Sequence, residues 1–210
     1  MTHLPSLPED AKLLDVFRAY PATAGPLVDY HQALMRGESP LSEAQRELIA
    51  AYVSGLNACD YCYGIHQTTA QAFGVDEGLL TALLVDLETA NIDEPMRTLL
   101  RYVGTLTTDP AKVTPADAQH VLDAGWSERA LHDTVSVCAL FNFMNRSTTA
   151  SASPPTPTTP TSPATASPGA GTPASRNCCE PRGLRTRKAG TPCRPPTGSA
   201  TCVRSTSTAP

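Results

Sequence analysis

The sequence predicts an all-α fold, a bundle of roughly eight helices joined by short loops. Signals for β-strands are poor, because β-branched residues do not alternate with polar ones and no Asn-Gly or Asp-Gly turn occurs. Patterns that start helices are frequent, and apolar residues follow them at spacings of three and four. Together these observations favour helices that pack through their apolar faces.

The third predicted helix has the clearest start. Ser42 is placed to cap it, and Gln45, three residues later, completes a capping box. Apolar side chains then recur on one face at Leu48, Ile49 and Tyr52. Two helices precede this one, over 9–20 and 24–36. The next three helices follow it over 60–73, 76–86 and 94–107.

The helical pattern breaks at Gly55 and Asn57, between the third helix and the fourth. In one straight helix, Glu47 and Cys62 would lie about 22 Å apart, at 1.5 Å per residue. If the chain turns near Asn57, the two helices fold back as a hairpin instead. Glu47 lies ten residues before this turn and His66 nine residues after it, so the two would lie at similar depth, where they can face each other.

The last two predicted helices also begin at clear caps. Thr114 precedes Pro115 at the first helical position, and Gly125 ends that helix. The final helix starts from Ser127 and runs to about Arg146.

The chain has two compositional parts. Residues 1–146 carry 9 Lys+Arg and 19 Asp+Glu, a net charge of −10, whereas residues 147–210 carry 7 basic residues and one acid, a net of +6. We expect a C-terminally incomplete domain over 1–146 and a disordered tail rich in Ser, Thr, Pro and Ala over 147–210.

The acidic first part argues against a nucleic-acid partner. No run of about 18 apolar residues predicts a membrane span, and the N-terminus has no apolar signal core, so we expect a cytoplasmic protein.

Seven cysteines are divided between the two parts. The first part has Cys59, Cys62 and Cys138, of which the first two form a CxxC pair. So few cysteines, two of them in CxxC, suit a cytosolic redox or metal role better than a secreted disulfide scaffold. The tail holds the other four, Cys178, Cys179, Cys193 and Cys202.

The CxxC pair and its surroundings contain the groups that thiol redox chemistry needs. A helix that starts near Asp60 places Cys62 in its first turn, where free N–H groups and the helix dipole favour a thiolate. Cys59 is placed to form a disulfide with Cys62. His66, one turn later on the same face, can take or return a proton, and Glu47 can orient that histidine. This set suffices for peroxide reduction through a sulfenic acid and a disulfide.

The CxxC pair also allows other interpretations. A structural zinc site needs about four ligands, and the segment offers Cys59, Cys62 and His66, with Cys138 as a fourth on a distant helix. Haem attachment needs a histidine directly after the second cysteine, where the chain has Tyr63. A thioredoxin-type site needs a βαβ context, which the sequence does not predict. Two inert buried cysteines are the remaining alternative. We interpret Cys138 as a core residue, and expect the following histidines on the surface or in packing: His31, His120 and His132.

These residues resemble the carboxymuconolactone decarboxylase-like superfamily, in its alkyl hydroperoxide reductase D and peroxidase-related branch. The matching pattern is Glu47, eleven intervening residues, then Cys59-x-x-Cys62-x-x-x-His66. FNFMNR, near the end of the last predicted helix, also resembles the end of a core helix in the peroxidase-related branch. The resemblance covers about residues 5–146. It implies an all-α homo-oligomer, either a trimer or a hexamer.

The resemblance implies roles for four residues. Cys62 would be the attacking thiol and Cys59 its disulfide partner, and Glu47 and His66 would form a proton relay through a bridging water. The chain departs from alkyl hydroperoxide reductase D at Tyr61, where that protein has a second histidine between the two cysteines. We expect a thiol-dependent, peroxiredoxin-like antioxidant peroxidase that uses a hydroperoxide, a protein or small-thiol reductant, and no cofactor or metal beyond its redox-active disulfide. The alternatives are a non-redox lactone decarboxylase on the same fold and a non-enzymatic redox-sensing module.

The tail reads as the product of a frameshift near codons 146–147. If the frame moves back by one nucleotide, each new codon ends in the first two bases of the present codon. Residues 149–153, Thr-Ala-Ser-Ala-Ser, then permit Asp-Gly-Leu-Gly followed by Ile or Val. A relative of this kind is expected to continue with Asp-Gly-Leu-Gly after NFMNR, so we interpret 147–210 as shifted. The alternative is a natural disordered tail, and the nucleotide sequence of the gene decides between them.

Overall fold

A computed structural model of the protein describes residues 2–152. Within that range the chain forms eight α-helices and one 3₁₀ turn, Pro110–Lys112, and no residue there lies in a strand. The predicted all-α bundle is therefore confirmed for this part of the chain. The helices are α1 Leu13–Ala19, α2 Pro21–Arg36, α3 Glu43–Leu56, α4 Asp60–Ala72, α5 Leu79–Val85, α6 Glu94–Thr108, α7 Pro115–Asp123 and α8 Glu128–Ser151.

Side-chain caps start the helices where the sequence predicts them. The Ser42 hydroxyl accepts the backbone N–H of Gln45, and the Gln45 side chain accepts the N–H of Ser42 in return. Thr114 caps α7 in the same reciprocal way, and Ser127 caps α8. Each cap satisfies backbone donors that have no partner inside the helix, which fixes where the helix begins.

α3 is the central helix of the bundle. All nine residues from Arg46 to Ser54 are buried, and the helix packs against α4, α5, α6 and α8. A helix that is covered on all sides carries its polar side chains into the interior, so Glu47 is only 1% exposed. Buried polar groups of this kind need partners, and α2, α4 and α8 supply them.

Four helix boundaries differ from the sequence-based expectation by three residues or more. One is the start of α5, which lies at Leu79 rather than at residue 76. α1 begins at Leu13 rather than at residue 9, and α2 begins at Pro21, because proline fits the first position of a helix. α8 continues to Ser151, five residues past its expected end at Arg146. Its buried stripe continues at the same spacing through Thr148, and the change in composition after residue 146 hides this continuation.

The predictions for the tail lie almost entirely outside the described residues. These are the disorder of 147–210 and its frameshift origin, and the domain boundary at 146 also stays a prediction. None of the helices in the described part is long and apolar enough to cross a membrane.

Candidate functional site

A tight turn between α3 and α4 places both cysteines of the CxxC pair. α3 ends at Leu56, and Ala58 adopts a left-handed backbone conformation with φ of 50°. The backbone N–H of Cys59 donates to the carbonyl of Ser54 at 2.9 Å, which closes the turn. Cys59 thereby becomes the N-cap residue of α4, and Cys62 lies in its first turn. The hairpin predicted from the break near Asn57 is present.

The two thiols form a buried, hydrogen-bonded pair. Both cysteines are free, and each is about 95% buried, with 5% and 4% of Cys59 and Cys62 exposed. The thiol of Cys62 donates to the sulfur of Cys59, and the backbone N–H of Cys62 does the same. These hydrogen bonds, the thiol bond first, outweigh burial and lower the pKa of Cys59 to about 6. The same thiol bond, together with burial, raises the pKa of Cys62. The pair therefore carries one negative charge near neutral pH.

Polar side chains from α8 complete the surroundings of the thiols. The Asn145 side chain donates to the Ser54 hydroxyl at 3.0 Å, and its presence lowers the pKa of both thiols. The Thr148 hydroxyl lies 3.7 Å from the sulfur of Cys62. Cys59, Cys62, Asn145 and Thr148 are called the thiol cluster below. Sequence reasoning missed both α8 residues, although a polar Asn145 among the apolar residues of FNFMNR was a visible signal.

An open cleft reaches the thiol cluster from the side of Cys59. It has a volume of about 350 Å³ and lies between the α3–α4 turn and α5. Cys59 forms part of its wall together with Ala58, Tyr63, Leu84 and Val85. Cys62 is absent from that wall and contacts α8 instead. A small molecule that enters the cleft therefore meets Cys59 first.

The predicted facing of Glu47 and His66 is present, and a third residue joins them. Oε2 of Glu47 lies 2.6 Å from Nδ1 of His66, and Oε1 of Glu47 accepts a hydrogen bond of 2.5 Å from the guanidinium of Arg36. Arg36 comes from the end of α2 and has no motif relation to the CxxC segment, so sequence reasoning did not find it.

The charge of Glu47 fixes the tautomer of His66. Burial raises the pKa of this carboxyl, but the hydrogen bonds and charges of His66 and Arg36 together lower it below its usual value. Glu47 therefore stays ionised at neutral pH, and Nδ1–H of His66 donates to it. The other ring nitrogen, Nε2, is left as the basic nitrogen.

Aromatic contacts hold the ring of His66 in place. Phe141 of α8 packs edge-on against it at 4.4 Å between ring centroids, and His31 of α2 lies 6.4 Å away. Burial, and then the neighbouring His66, lower the pKa of His31, so it is neutral near pH 7. His31 was expected on the surface or in packing, and it packs here. Arg36, Glu47, His66 and His31 are called the acid–histidine cluster below.

The two clusters are separate in the structure. Among the described residues, no hydrogen bond joins His66 to either thiol. Ser54 and Glu47 lie seven residues apart on α3, about 10.5 Å along the helix, and Cys62 and His66 lie one turn apart on α4. The predicted relay through a bridging water thus remains a prediction.

Comparisons with known proteins agree with this arrangement. Residues 21–104, which span Arg36, Glu47, both cysteines and His66, match the carboxymuconolactone decarboxylase family. The match covers 84 of the 210 residues, and the described part of the chain is similar in fold to solved structures of peroxidase-related proteins. No curated protein matches the sequence.

Solved structures of the superfamily share the fold. An uncharacterised peroxidase-related protein from Silicibacter sp. TM1040 is 28% identical, with a TM-score of 0.62 over 66% of this chain and 73% of its own. A second uncharacterised peroxidase-related protein, an alkylhydroperoxidase core from Ralstonia eutropha JMP134, is 23% identical, with a TM-score of 0.59 over 62% of this chain and 69% of its own. The debrominase Bmp8, solved with 2,3,4-tribromopyrrole, has a TM-score of 0.59 at 17% identity over 73% of this chain and 80% of its own. Proteins on this fold therefore differ in activity.

The remaining site predictions concern metal binding and Cys138. In the described part of the chain, no group of three or more His, Cys, Asp or Glu side chains is arranged to hold a metal ion. Cys138 is fully buried in the core, as predicted, with its sulfur 3.3 Å from the hydroxyl of Thr107. Burial raises its pKa, so it stays a thiol.

Proposed function

We propose that the protein is a thiol-dependent peroxidase, a disulfide oxidoreductase that reduces hydroperoxides with Cys59 and Cys62. One observation carries the proposal: two free, buried thiols lie together at the start of α4, Cys59 as its N-cap residue and Cys62 in its first turn. Such a pair is a nucleophile and its resolving partner at neutral pH. Proton-transfer chemistry such as lactone decarboxylation does not need it.

The proposed reaction has two steps at the thiols. A thiolate attacks the hydroperoxide, so that a sulfur–oxygen bond forms, the O–O bond breaks, and the alkoxide leaves and takes a proton to become an alcohol. The second thiol then attacks the sulfenic sulfur, the disulfide forms, and hydroxide leaves as water after it takes a proton. A dithiol reductant returns two electrons and two protons and restores both thiols.

The order of the two cysteines is part of the proposal. The resemblance implies that Cys62 attacks first. The position of Cys59 on the cleft and its lowered pKa support the opposite order, with Cys62 as the resolving thiol. In a Cys62→Ser variant, the sulfenic acid on Cys59 cannot be resolved, so dimedone should trap it at Cys59. A dimedone adduct that forms faster on Cys62 in Cys59→Ser would support the order implied by the resemblance.

The acid–histidine cluster is proposed to move the protons of both steps. Nε2 of His66 is the basic nitrogen, and the Glu47 carboxylate stabilises the imidazolium that forms when it takes a proton. The protonated ring can then supply the leaving alkoxide or hydroxide. Because no direct contact joins His66 to the thiols, this transfer needs a water or the substrate between them.

The proposal is tested by peroxide consumption with dithiothreitol as the reductant. Wild type should consume hydrogen peroxide or tert-butyl hydroperoxide, and Cys59→Ser and Cys62→Ser should each lose at least about 100-fold of that rate. His66→Phe should also lose about 100-fold or more, because it removes the proposed base. Cys138→Ala is the matched control and should keep full activity, because it retains the pair and the four tail thiols.

The outcomes also separate the alternatives. Activity that survives both serine variants would overturn a role for the pair and leave a non-redox reaction on the same fold. An inactive wild type whose Cys59–Cys62 disulfide forms and reduces reversibly would favour a redox-sensing module. The proposed trimer or hexamer is tested separately, by light scattering on the purified chain.

A further inference from the structure

Asn145 is a buried polar residue whose orientation the structure fixes. It lies on α8, is 2% exposed, and directly follows the buried Met144. Buried amides at such positions need partners for both ends of the side chain. The partners of Asn145 come from α3 and from the α3–α4 turn.

The hydrogen bonds of Ser54 determine which end of the Asn145 amide faces α3. The Ser54 hydroxyl donates its only proton to the carbonyl of Ala50 at 2.8 Å. Its oxygen must therefore accept the hydrogen bond from Nδ2 of Asn145, at 3.0 Å. Nδ2 of Asn57 donates to Oδ1 of Asn145 at 2.9 Å, which agrees with the same orientation. One N–H of Asn145 is left over. It lies beside the thiols, because the carbonyl of Ser54 accepts the backbone N–H of Cys59 at 2.9 Å and Thr148, three residues further along α8, lies 3.7 Å from the sulfur of Cys62.

We propose that Asn145 is a positioning residue of the thiol pair, which directs its second side-chain N–H at the sulfurs and thereby stabilises the thiolate. The inference rests on the proposed use of this pair as the redox centre. A hydrogen bond from a neutral donor to an ionised acceptor is stronger than one between neutral groups, and burial strengthens it further. The thiolate is the reactive form, so Asn145 would set the fraction of protein that is ready to attack.

The matched control lies one turn earlier on the same helix. Asn142 also accepts a hydrogen bond from Asn57, at 3.1 Å, and is half-buried. Its own Nδ2 is directed to the carbonyl of Cys138, at 3.0 Å, and not to the CxxC pair. The two asparagines thus share a helix and a partner, and they differ in whether they reach Cys59 and Cys62.

The test measures the titration of Cys59 in the reduced, full-length protein. Alkylation by iodoacetamide is followed against pH by peptide mass spectrometry, which distinguishes this pair from the other five cysteines. Wild type should show a midpoint near pH 6. Asn145→Leu should move that midpoint up by about one to two pH units, and Asn145→Asp at least as far, because its carboxylate repels a thiolate. Asn142→Leu should leave it unchanged within about 0.3 unit.

A measurement on wild type keeps the inference testable if the variants fold poorly. The side-chain NH₂ resonances of Asn145 should titrate in ¹⁵N NMR with the same midpoint as the alkylation of Cys59, while those of Asn142 should not. Unchanged midpoints in folded Asn145 variants, or Asn145 resonances that do not move with pH, would overturn the inference. Neither readout needs turnover, so an inactive wild type with these shifts would sink the proposed peroxidase function and leave the role of Asn145 standing.

Discussion

The thiol cluster and the acid–histidine cluster lie along one helical hairpin, and they hold negative charge in different ways. Glu47 is hydrogen-bonded to Arg36 and His66. Its negative charge is therefore balanced by the guanidinium, which is a cation, and by the imidazole when that ring is protonated. The charge on Cys59 is held by a thiol, a backbone N–H at a helix start and the side chain of Asn145, none of which carries a full charge. The two clusters thus stabilise anions whose unperturbed pKa values differ, a carboxylate in one and a thiolate in the other.

This difference has a chemical reason. A carboxylate is already ionised at neutral pH, so an ion pair fixes its position and that of its partner without changing its charge state. A thiol has to be made more acidic, and neutral donors do this without burying a cation beside the nucleophile. If the clusters are independent, changing the charges of one should leave the titration of the other in place.

Replacing the charge of Glu47 should give the largest effect on activity and tests that independence. In Glu47→Gln, His66 loses the carboxylate that stabilises its protonated form, so peroxide consumption should fall about 100-fold or more. The midpoint of Cys59 alkylation should stay near pH 6, because no contact of the thiol cluster involves Glu47. A shift of a full pH unit in that midpoint would show that the clusters act as one.

The hairpin that carries both clusters was predictable from local signals. The break near Asn57, the capping box at Ser42 and the spacing of Glu47 and His66 are all short-range features, and the structure confirms the turn, the cap and the facing of the two side chains. Helix periodicity depends on neighbours three and four residues away, so one sequence suffices to see it.

The partners from other helices were not predictable in this way. Asn145 lies 88 residues from Asn57, and Arg36 reaches Glu47 from a helix whose rotation depends on the whole bundle. Local spacing cannot state which face of α8 meets the turn. The thiolate on Cys62 that helix position favours stays a prediction, and the lowered pKa of Cys59 favours the other thiol.

The charge on the thiol pair should make the stability of the reduced protein depend on pH. The folded pair gives up its first proton near pH 6, and an unfolded cysteine does so at about 8.5. Between these values the unfolded chain binds more protons, so stability rises with pH by at most about 1.4 kcal/mol per unit, and this gain is lost as pH falls through 6. Urea unfolding under reductant at pH 6, 7 and 8 measures the slope. Cys59→Ser should lack it, and equal slopes in both proteins would contradict the lowered pKa.

Removing Arg36 should have a smaller effect, confined to the acid–histidine cluster. Arg36→Met removes one charged hydrogen bond of Glu47, and because the guanidinium is 28% exposed we expect a loss of only about 1–2 kcal/mol of stability at pH 7. The lowered pKa of Glu47 contributes stability that is present above the pKa of an unfolded carboxyl and lost as pH falls through the folded value. In the variant that loss should begin at higher pH. Urea midpoints between pH 3 and 6 measure it, with exposed Arg18→Met as the control.

Cys138 provides the smallest effect and shows what the polar contacts of the thiol cluster add. It is as buried as the reactive pair, and it also touches polar side chains, Thr107 and Asn142. It does not lie at a helix start and has no second thiol as a donor. Burial therefore raises the pKa of Cys138, whereas the pKa of Cys59 is lowered. Cys138→Ala should therefore leave activity unchanged and cost less than about 1.5 kcal/mol of stability. In native protein at pH 7, iodoacetamide should modify Cys59 well before Cys138, which should react only as the chain unfolds. Equal rates at the two sites would mean that burial, rather than the arrangement of donors around Cys59, controls thiol reactivity in this fold.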